Sequence, residues 1–234
     1  MIAATETHTQ KARQRAAGGR GIALVVGLDI PLRLVPWAAA RPMCWEDGLV
    51  KLLVAALEAE LVAFPHDLPG FDRLVTGPGK LQAAYALTRA LDAAEYDEIV
   101  VVGTAGAIDA QLEAIVYDVD AAIQHDVTDI DGIVGQHVSL PTRVELGREG
   151  VTIATGDHFV DDAEAVGVIR PLGAGLVDME TYAYVWVAQQ FGIPIRVLKS
   201  VSDRAQDDAI TDWRATVTAC SEQLREVIRT EYGV

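Results

Sequence analysis

Short apolar runs recur along the chain, each bounded by glycine, proline or acidic residues. "VKLLVAA" (50–56) and "EIVVVGTAG" (98–106) are nearly continuous, as are the start of "VTIATGDHFVDD" (151–162), "GLVDM" (175–179) and "IRVLKSVSD" (195–203). Runs of this length predict strands covered on both faces. "LEAIVYDVDAA" (112–122) reads as a further strand, and "RLVTGPGK" (73–80) as a short strand entering a Gly/Pro turn. Between them the period changes. Leu81, Ala84, Leu87 and Leu91 recur at helical spacing over 80–94. "ETYAYVWVAQQF" (180–191) predicts a helix stopped by Gly192 and Pro194. A last helix is expected from about Thr211 to Glu231. Strands alternating with helices predict an α/β fold with a largely parallel sheet. Such sheets bind ligands beyond the carboxyl ends of their strands. Glu58 and Glu60, Thr104 to Gly106, Gly156 to Val160, Asp178 to Glu180, and Ser202 with Asp203 all fall at those ends.

Length and charge narrow the possibilities. The chain has 234 residues, half of them hydrophobic, which suits one α/β domain with a full core. Its net charge of −15 disfavours nucleic acid and anionic membrane as partners. Cys44 and Cys220 are far apart without CxxC spacing, so neither a disulfide framework nor a zinc site is expected. His8, His66, His125, His137 and His158 show no ligand spacing, and no metal or cofactor is expected.

The first 48 residues differ from the rest. Lys11, Arg13, Arg15 and Arg20 precede the apolar run "GIALVVGL", in the manner of a signal peptide. Asp29, Pro31 and Arg33 cut that run short, and no run approaches the roughly 20 residues of a membrane span. Residues 1–48 are therefore expected to be a poorly ordered extension or a mis-assigned start, with Met43 an alternative start, and the location is expected to be cytoplasmic. Residues 1–48 hold 6 of the 19 basic and 4 of the 34 acidic residues. The expected catalytic domain, 49–234, keeps 13 basic and 30 acidic residues, a net charge of −17.

Three acidic features need a reason, and each has a structural alternative that position alone favours. Glu58 and Glu60 follow an apolar strand; one could act as a base for water, or both could sit in an exposed first helical turn. Asp178 and Glu180 flank Met179; a carboxylate there could accept a sugar diol with the methionine on the sugar face, or the pair could cap a helix. Asp203, beside Ser202, could be an acid whose pKa is raised in a dry pocket, or could make an Asx turn. His125 and Asp126 follow a strand and either shape a pocket or bond locally. "TGPGK" lacks the Walker spacing and "GTAGAID" lacks GxGxxG, so neither a nucleoside triphosphate nor a dinucleotide site is predicted.

Six motifs in order carry a resemblance: "VKLLVAALEAEL", "VTGPGK", "VVVGTAGAID", "IQHDVTD", "ATGDHFV" and "LVDMETYAYVWVAQQFGIPIRVLKSVSDRA". Over residues 50–213 the chain resembles the nucleoside phosphorylase superfamily, and within it the methylthioadenosine/S-adenosylhomocysteine nucleosidases. The resemblance implies a three-layer fold, with a central mixed, mostly parallel sheet flanked by helices. It implies hydrolysis of a purine nucleoside's N-glycosidic bond. Asp203 matches the acid that serves purine N7, with Ser202 supporting it, and Glu60 matches the glutamate that activates water. Glu180 matches the group holding the ribose hydroxyls, Met179 the residue packed on the ribose, and Phe159 the ring stacked on the base. Val160 matches the residue whose backbone reads the purine edge; Thr104, Ala105 and Gly106 match the small turn beside base and sugar; Trp213 matches an aromatic lid. A homodimer, with the 5′ pocket completed by the neighbour, is also implied.

The chain departs from that pattern in two places. Only Leu61 to Val75 separate Glu60 from the "TGPGK" turn, where the family carries a longer stretch, and "TGPGK" replaces a "GIGK" type of turn. The trimming is expected to open the site or to remove contacts to the 5′ substituent. Three alternatives remain: a phosphate-dependent phosphorylase, a futalosine-type hydrolase, and a nucleoside-binding protein without catalysis. Against the first, the "ALEAEL" segment is acidic, and Arg73 is the sole arginine between residues 42 and 88. A phosphate dianion would be repelled there.

Overall fold

The computed structural model describes residues 50–206 and 208–234. The expectation for residues 1–48 lies outside the described residues. Eight strands are seen: β1 (Lys51–Ala55), β2 (Phe71–Val75), β3 (Glu98–Ala107), β4 (Val116–Gln124), β5 (Arg143–Glu145), β6 (Val151–Thr155), β7 (Leu176–Asp178) and β8 (Ile195–Asp203). The helices are α1 (Lys80–Ala93), α2 (Ala163–Ile169), α3 (Thr181–Phe191) and α4 (Ala209–Tyr232). Single 3₁₀ turns stand at Glu58–Leu61 and Arg170–Leu172.

Side-chain alternation builds the three layers. Leu52, Val54, Ile99 and Val101 pack with α1 and α3. Their neighbours Leu53, Ala55, Val100 and Val102 point the other way, against Leu224 and Ile228 of α4. The sheet is thus covered on both faces, which is why its strands read as continuous apolar runs.

The sheet is mixed and mostly parallel. β1 pairs in parallel with β2 and β3, and β3 with β8. β6 likewise pairs in parallel with β4 and β7. These two parallel groups run against each other where β3 meets β7 and where β4 meets β8, and β5 adds an antiparallel edge to β4. The pairings β3–β8–β4–β6–β7–β3 therefore close a ring, from which β1 and β2 extend. At the end of β3, where the ring closes, the β3/β8 register shifts between Ala105 and Gly106. A Cβ on Gly106 would stand 2.9 Å from Asp203 Oδ1 and 3.1 Å from a Val177 methyl, so any larger residue there would press on the Asp203 carboxyl.

Some details differ from the sequence-based reading. The stripe predicted on α1 included Leu81, which is 83% exposed; the buried face is Ala83, Leu87 and Leu91. At 100° per residue Leu81 lies about 200° from Ala83, on the solvent side. The strand expected from residue 112 begins at Val116. β5 and α2 were not foreseen: one is three residues, "RVE", with a single apolar position, and the other a seven-residue helix with a glycine inside.

Candidate active site

Beyond β1, β3, β6, β7 and β8 lies a cavity of about 170 Å³. Glu60, Thr104, Ala105, Gly106, Phe159, Val160, Met179, Glu180, Ser202, Asp203 and Trp213 all line it. Ala56, Leu57, Pro78, His158, Val177, Asp178 and Ile210 complete the wall. No lysine or arginine is among these lining residues.

Glu60 and Glu58 part company. The turn after β1 is 3₁₀ rather than strand, so residues two apart face opposite ways. Glu58 is exposed and ion-paired with Arg73. Glu60 is 4% exposed. Its Oε2 accepts the amides of Ala56 (3.1 Å) and Leu57 (3.0 Å), closing the turn in the manner of a helix-capping glutamate. Its Oε1 accepts the Thr104 amide (2.8 Å) and hydroxyl (2.9 Å), which ties the turn to β3. Thr104 Oγ1 in turn accepts the indole N–H of Trp213, at 3.0 Å, from the start of α4. Capping and site-lining are here two roles of one residue.

Asp203 ends β8 and is 6% exposed. It accepts the Ala205 amide and the Ser202 hydroxyl, each at 2.8 Å. Burial pushes its carboxyl above the usual range, and those two hydrogen bonds offset only part of the rise. The Asx-type bond to Ala205 and a raised pKa coexist.

Asp178 and Glu180 divide the work between them. Asp178 accepts the Thr181 amide at 3.0 Å and so caps α3; it also accepts the hydroxyls of Thr181 and Thr155. Its fourth partner is the Lys199 ammonium at 2.9 Å, both side chains being 3% exposed. Burial raises the Asp178 carboxyl, but Lys199 and the hydroxyls outweigh that and hold it below the usual range. Burial disfavours the charged Lys199, yet Asp178, Glu180 and Glu60 together keep its ammonium proton bound more firmly than usual. Glu180, 6% exposed, accepts the Gly79 amide at 2.8 Å through Oε1. Burial, then the negative Asp178, push it up to about 8.

Lys199 is not among the residues that the sequence singles out for the site. Its signal was a lysine at the centre of a strand, "IRVLKSVSD", that the pattern expects to be buried on both faces, where a buried charge demands a partner. His125 does not line the cavity. It is 5% exposed, lies edge-on to His158 with ring centroids 5.0 Å apart, and leaves Nε2 without a hydrogen bond. Burial lowers its pKa. Asp126 pairs with Lys80. Among the described residues no group of three or more His, Cys, Asp or Glu is placed to hold a metal ion.

A sheet closed around a carboxylate-lined pocket at its strand ends defines a small-molecule site of the α/β type. The family model described as "Phosphorylase superfamily" matches residues 145–230. A 5′-methylthioadenosine/S-adenosylhomocysteine nucleosidase of Marinomonas is 32% identical over 182 residues, 67% of this chain and 78% of the relative. A protein of the same name from Bacillus licheniformis is 33% identical over 155 residues, 56% and 67% of the two chains. The chain belongs to the phosphorylase superfamily, among its methylthioadenosine/S-adenosylhomocysteine nucleosidases. Solved structures agree on the fold. The Helicobacter pylori nucleosidase bound to butyl-thio-DADMe-Immucillin-A superposes with a TM-score of 0.71 at 20% identity, covering 79% of this chain and 98% of its own. Futalosine hydrolase from the same organism gives 0.69 at 20% identity, covering 77% and 96%.

Proposed function

We propose that the cavity hydrolyses the N-glycosidic bond of a 5′-modified adenosine, of the methylthioadenosine, S-adenosylhomocysteine or 5′-deoxyadenosine type, to free base and sugar. By its family the chain is a purine nucleosidase, an N-glycosyl hydrolase. The observation that carries the mechanism is that Asp203 and Glu60, from different strand ends, line one cavity in different hydrogen-bonding environments.

In this reading Asp203, whose hold on a proton burial strengthens and whose carboxyl Ser202 orients, gives a proton to purine N7 and makes the base a leaving group. Positioned acid catalysis of this kind is worth about 10²–10⁴-fold. Glu60 orients and deprotonates water on the opposite side of the sugar, as in inverting glycosidases. The Thr104 hydroxyl occupies Oε1 in the structure described here, so water takes a place that the hydroxyl yields. Glu180 receives the 2′- and 3′-hydroxyls and Met179 packs on the ribose. Phe159 stacks on the base, the Val160 backbone reads its edge, and Thr104, Ala105 and Gly106 form the wall beside base and sugar. Trp213 covers the mouth.

Water is favoured over phosphate as nucleophile. The acidic side chains lining the cavity are Glu60, Asp178, Glu180 and Asp203, no lysine or arginine lines it to hold a phosphate, and Arg73 is held by Glu58 outside it. We also propose a homodimer and a cytoplasmic location. The loop between β4 and β5 supports the first, exposing Ile130 (85%) and Val138 (67%) together with Ile133 and Val134. Among the described residues no helix is long and apolar enough to cross a membrane.

The deciding experiment is base release from methylthioadenosine, S-adenosylhomocysteine, 5′-deoxyadenosine, adenosine, inosine and futalosine, with and without phosphate, by wild type, Asp203→Asn and Glu60→Gln. Phosphate-independent release is expected. Asp203→Asn should lose at least about 10²-fold in turnover. Glu60→Gln should lose hydrolysis while still binding a transition-state analogue. Release only with phosphate would make the chain a phosphorylase, and release from none, with intact binding, a nucleoside-binding protein.

A further inference from the structure

Lys80 opens α1, and a lysine is the wrong charge for that place, because the first turn of a helix already carries partial positive charge. The residue before it, Gly79, has no side chain with which to cap the helix. Both deficits are met from elsewhere in the chain. Asp157, in the turn after β6, accepts the Lys80 amide at 2.7 Å and so caps α1 from 77 residues away. The Lys80 ammonium bonds Asp126 at 2.6 Å and Gln124 at 2.9 Å, at the end of β4, and lies 3.9 Å from Asp157 Oδ2. Asp126 closes the circuit by accepting the Asp157 amide at 2.7 Å. Lys80 and Asp126 are each only 15% exposed, so water screens this pair weakly. One cation thus ties together the turns that follow β2, β4 and β6.

None of Lys80, Gln124, Asp126 and Asp157 lines the cavity. The residue that connects them to it is Gly79, whose amide bonds Glu180 Oε1. Gly79 has φ +92°, and a Cβ there would stand 3.1 Å from Asp157 Oδ1. Its amide direction is therefore set by the turn, and the turn by Lys80.

We propose that Lys80 is a positioning residue: by clamping the three turns it holds the Gly79 amide on one oxygen of Glu180, and so fixes which oxygen meets the sugar's 2′,3′-diol. The proposal rests on the reading of Glu180 as the ribose-binding group. A carboxyl anchored at one oxygen presents the other in a single orientation. Released, it would rotate, and the advantage of a ribonucleoside over its 2′-deoxy analogue would shrink.

The test measures kcat and KM on the best nucleoside of the panel above and on its 2′-deoxy analogue. The proteins are wild type, Lys80→Met, Lys80→Arg, Asp157→Asn and Glu180→Gln. Lys80→Met is expected to lower kcat/KM on the ribonucleoside roughly tenfold, the scale of one misplaced hydrogen bond. The 2′-deoxy analogue should lose much less, so the ratio falls, and Lys80→Arg should restore most of it. Asp157→Asn should shift the ratio the same way, and combining it with Lys80→Met should add less than the product of the two losses. Asp157 is half exposed, so its variant carries the test if Lys80→Met does not fold. Equal losses on both substrates in the Lys80 and Asp157 variants, with Glu180→Gln still moving the ratio, would overturn the clamp alone. An unmoved ratio in Glu180→Gln would overturn the diol reading and the clamp with it.

Discussion

Glu180 titrates near 8 in the folded chain against an ordinary value of 4.5, because burial and the neighbouring Asp178 charge both oppose its ionisation. Between those values the folded protein keeps a proton that the unfolded chain has released. Stability therefore falls as pH rises through that window. The contribution is fully present below about pH 4.5 and is lost as pH climbs through about 8. Asp203, also raised by burial, acts in the same direction. Asp178, held low, acts in the opposite one, but it is common to both proteins compared here. Thermal melts of the ligand-free protein should show wild type losing ground to Glu180→Gln from pH 5 to pH 8.5. A Tm difference constant over that range would contradict the buried proton. Residue by residue, the cavity lining was legible where small or acidic residues end apolar runs, because such sheets bind ligands beyond their strand ends. Lys199 and Lys80 were not legible. Their partners Asp178, Asp126 and Asp157 are 21 to 77 residues away, and only the folded sheet brings them near.

α4 shows what the helices contribute. Leu224 and Ile228 are fully buried against the β1 and β3 residues that face them, while Glu222 on the same helix is exposed. Ser221, one turn from Leu224, accepts the Ala63 amide at 3.1 Å and ties α4 to the segment just after the Glu60 turn. Leu224→Ala should destabilise by about 2–5 kcal/mol in urea titration, and Glu222→Ala by less than about 0.5 kcal/mol. Equal effects would mean that α4 is not held by this face. The strong elements were readable because period and length agree: β3, β8 and α3 fall close to where apolar runs and the Gly192 stop place them. β5 and α2 were unreadable for the opposite reason, since three charged-flanked residues and seven helical ones carry too little period to stand above their surroundings. The exposed Leu81 marks the same limit, because apolar spacing suggests a face and the neighbouring sheet decides which face is used.

Over the whole molecule, charge and shape bear on association. A chain of net charge −15 pairs with a copy of itself only if apolar contact outweighs repulsion. Sedimentation equilibrium should therefore find a dimer that Ile130→Asp with Val138→Asp converts to monomer. A wild-type monomer at micromolar concentration would remove that proposal. The fold class was legible from the alternation of strands and helices. The antiparallel meeting of two parallel groups was not, since pairing direction depends on which distant strands become neighbours.

The closed ring also has a bearing on how the protein comes into being. β3 ends at residue 107 and β8 begins at residue 195, yet they lie side by side, and β8 also joins β4. Pairings this distant in sequence carry a large loop-closure entropy and fold slowly. Asp203, the proposed proton donor, rides on the strand that completes the circuit. A growing chain that has not yet released residues 195–203 from the ribosome holds Glu60 and Glu180 without Asp203, so the cavity gains its last carboxyl only with closure itself.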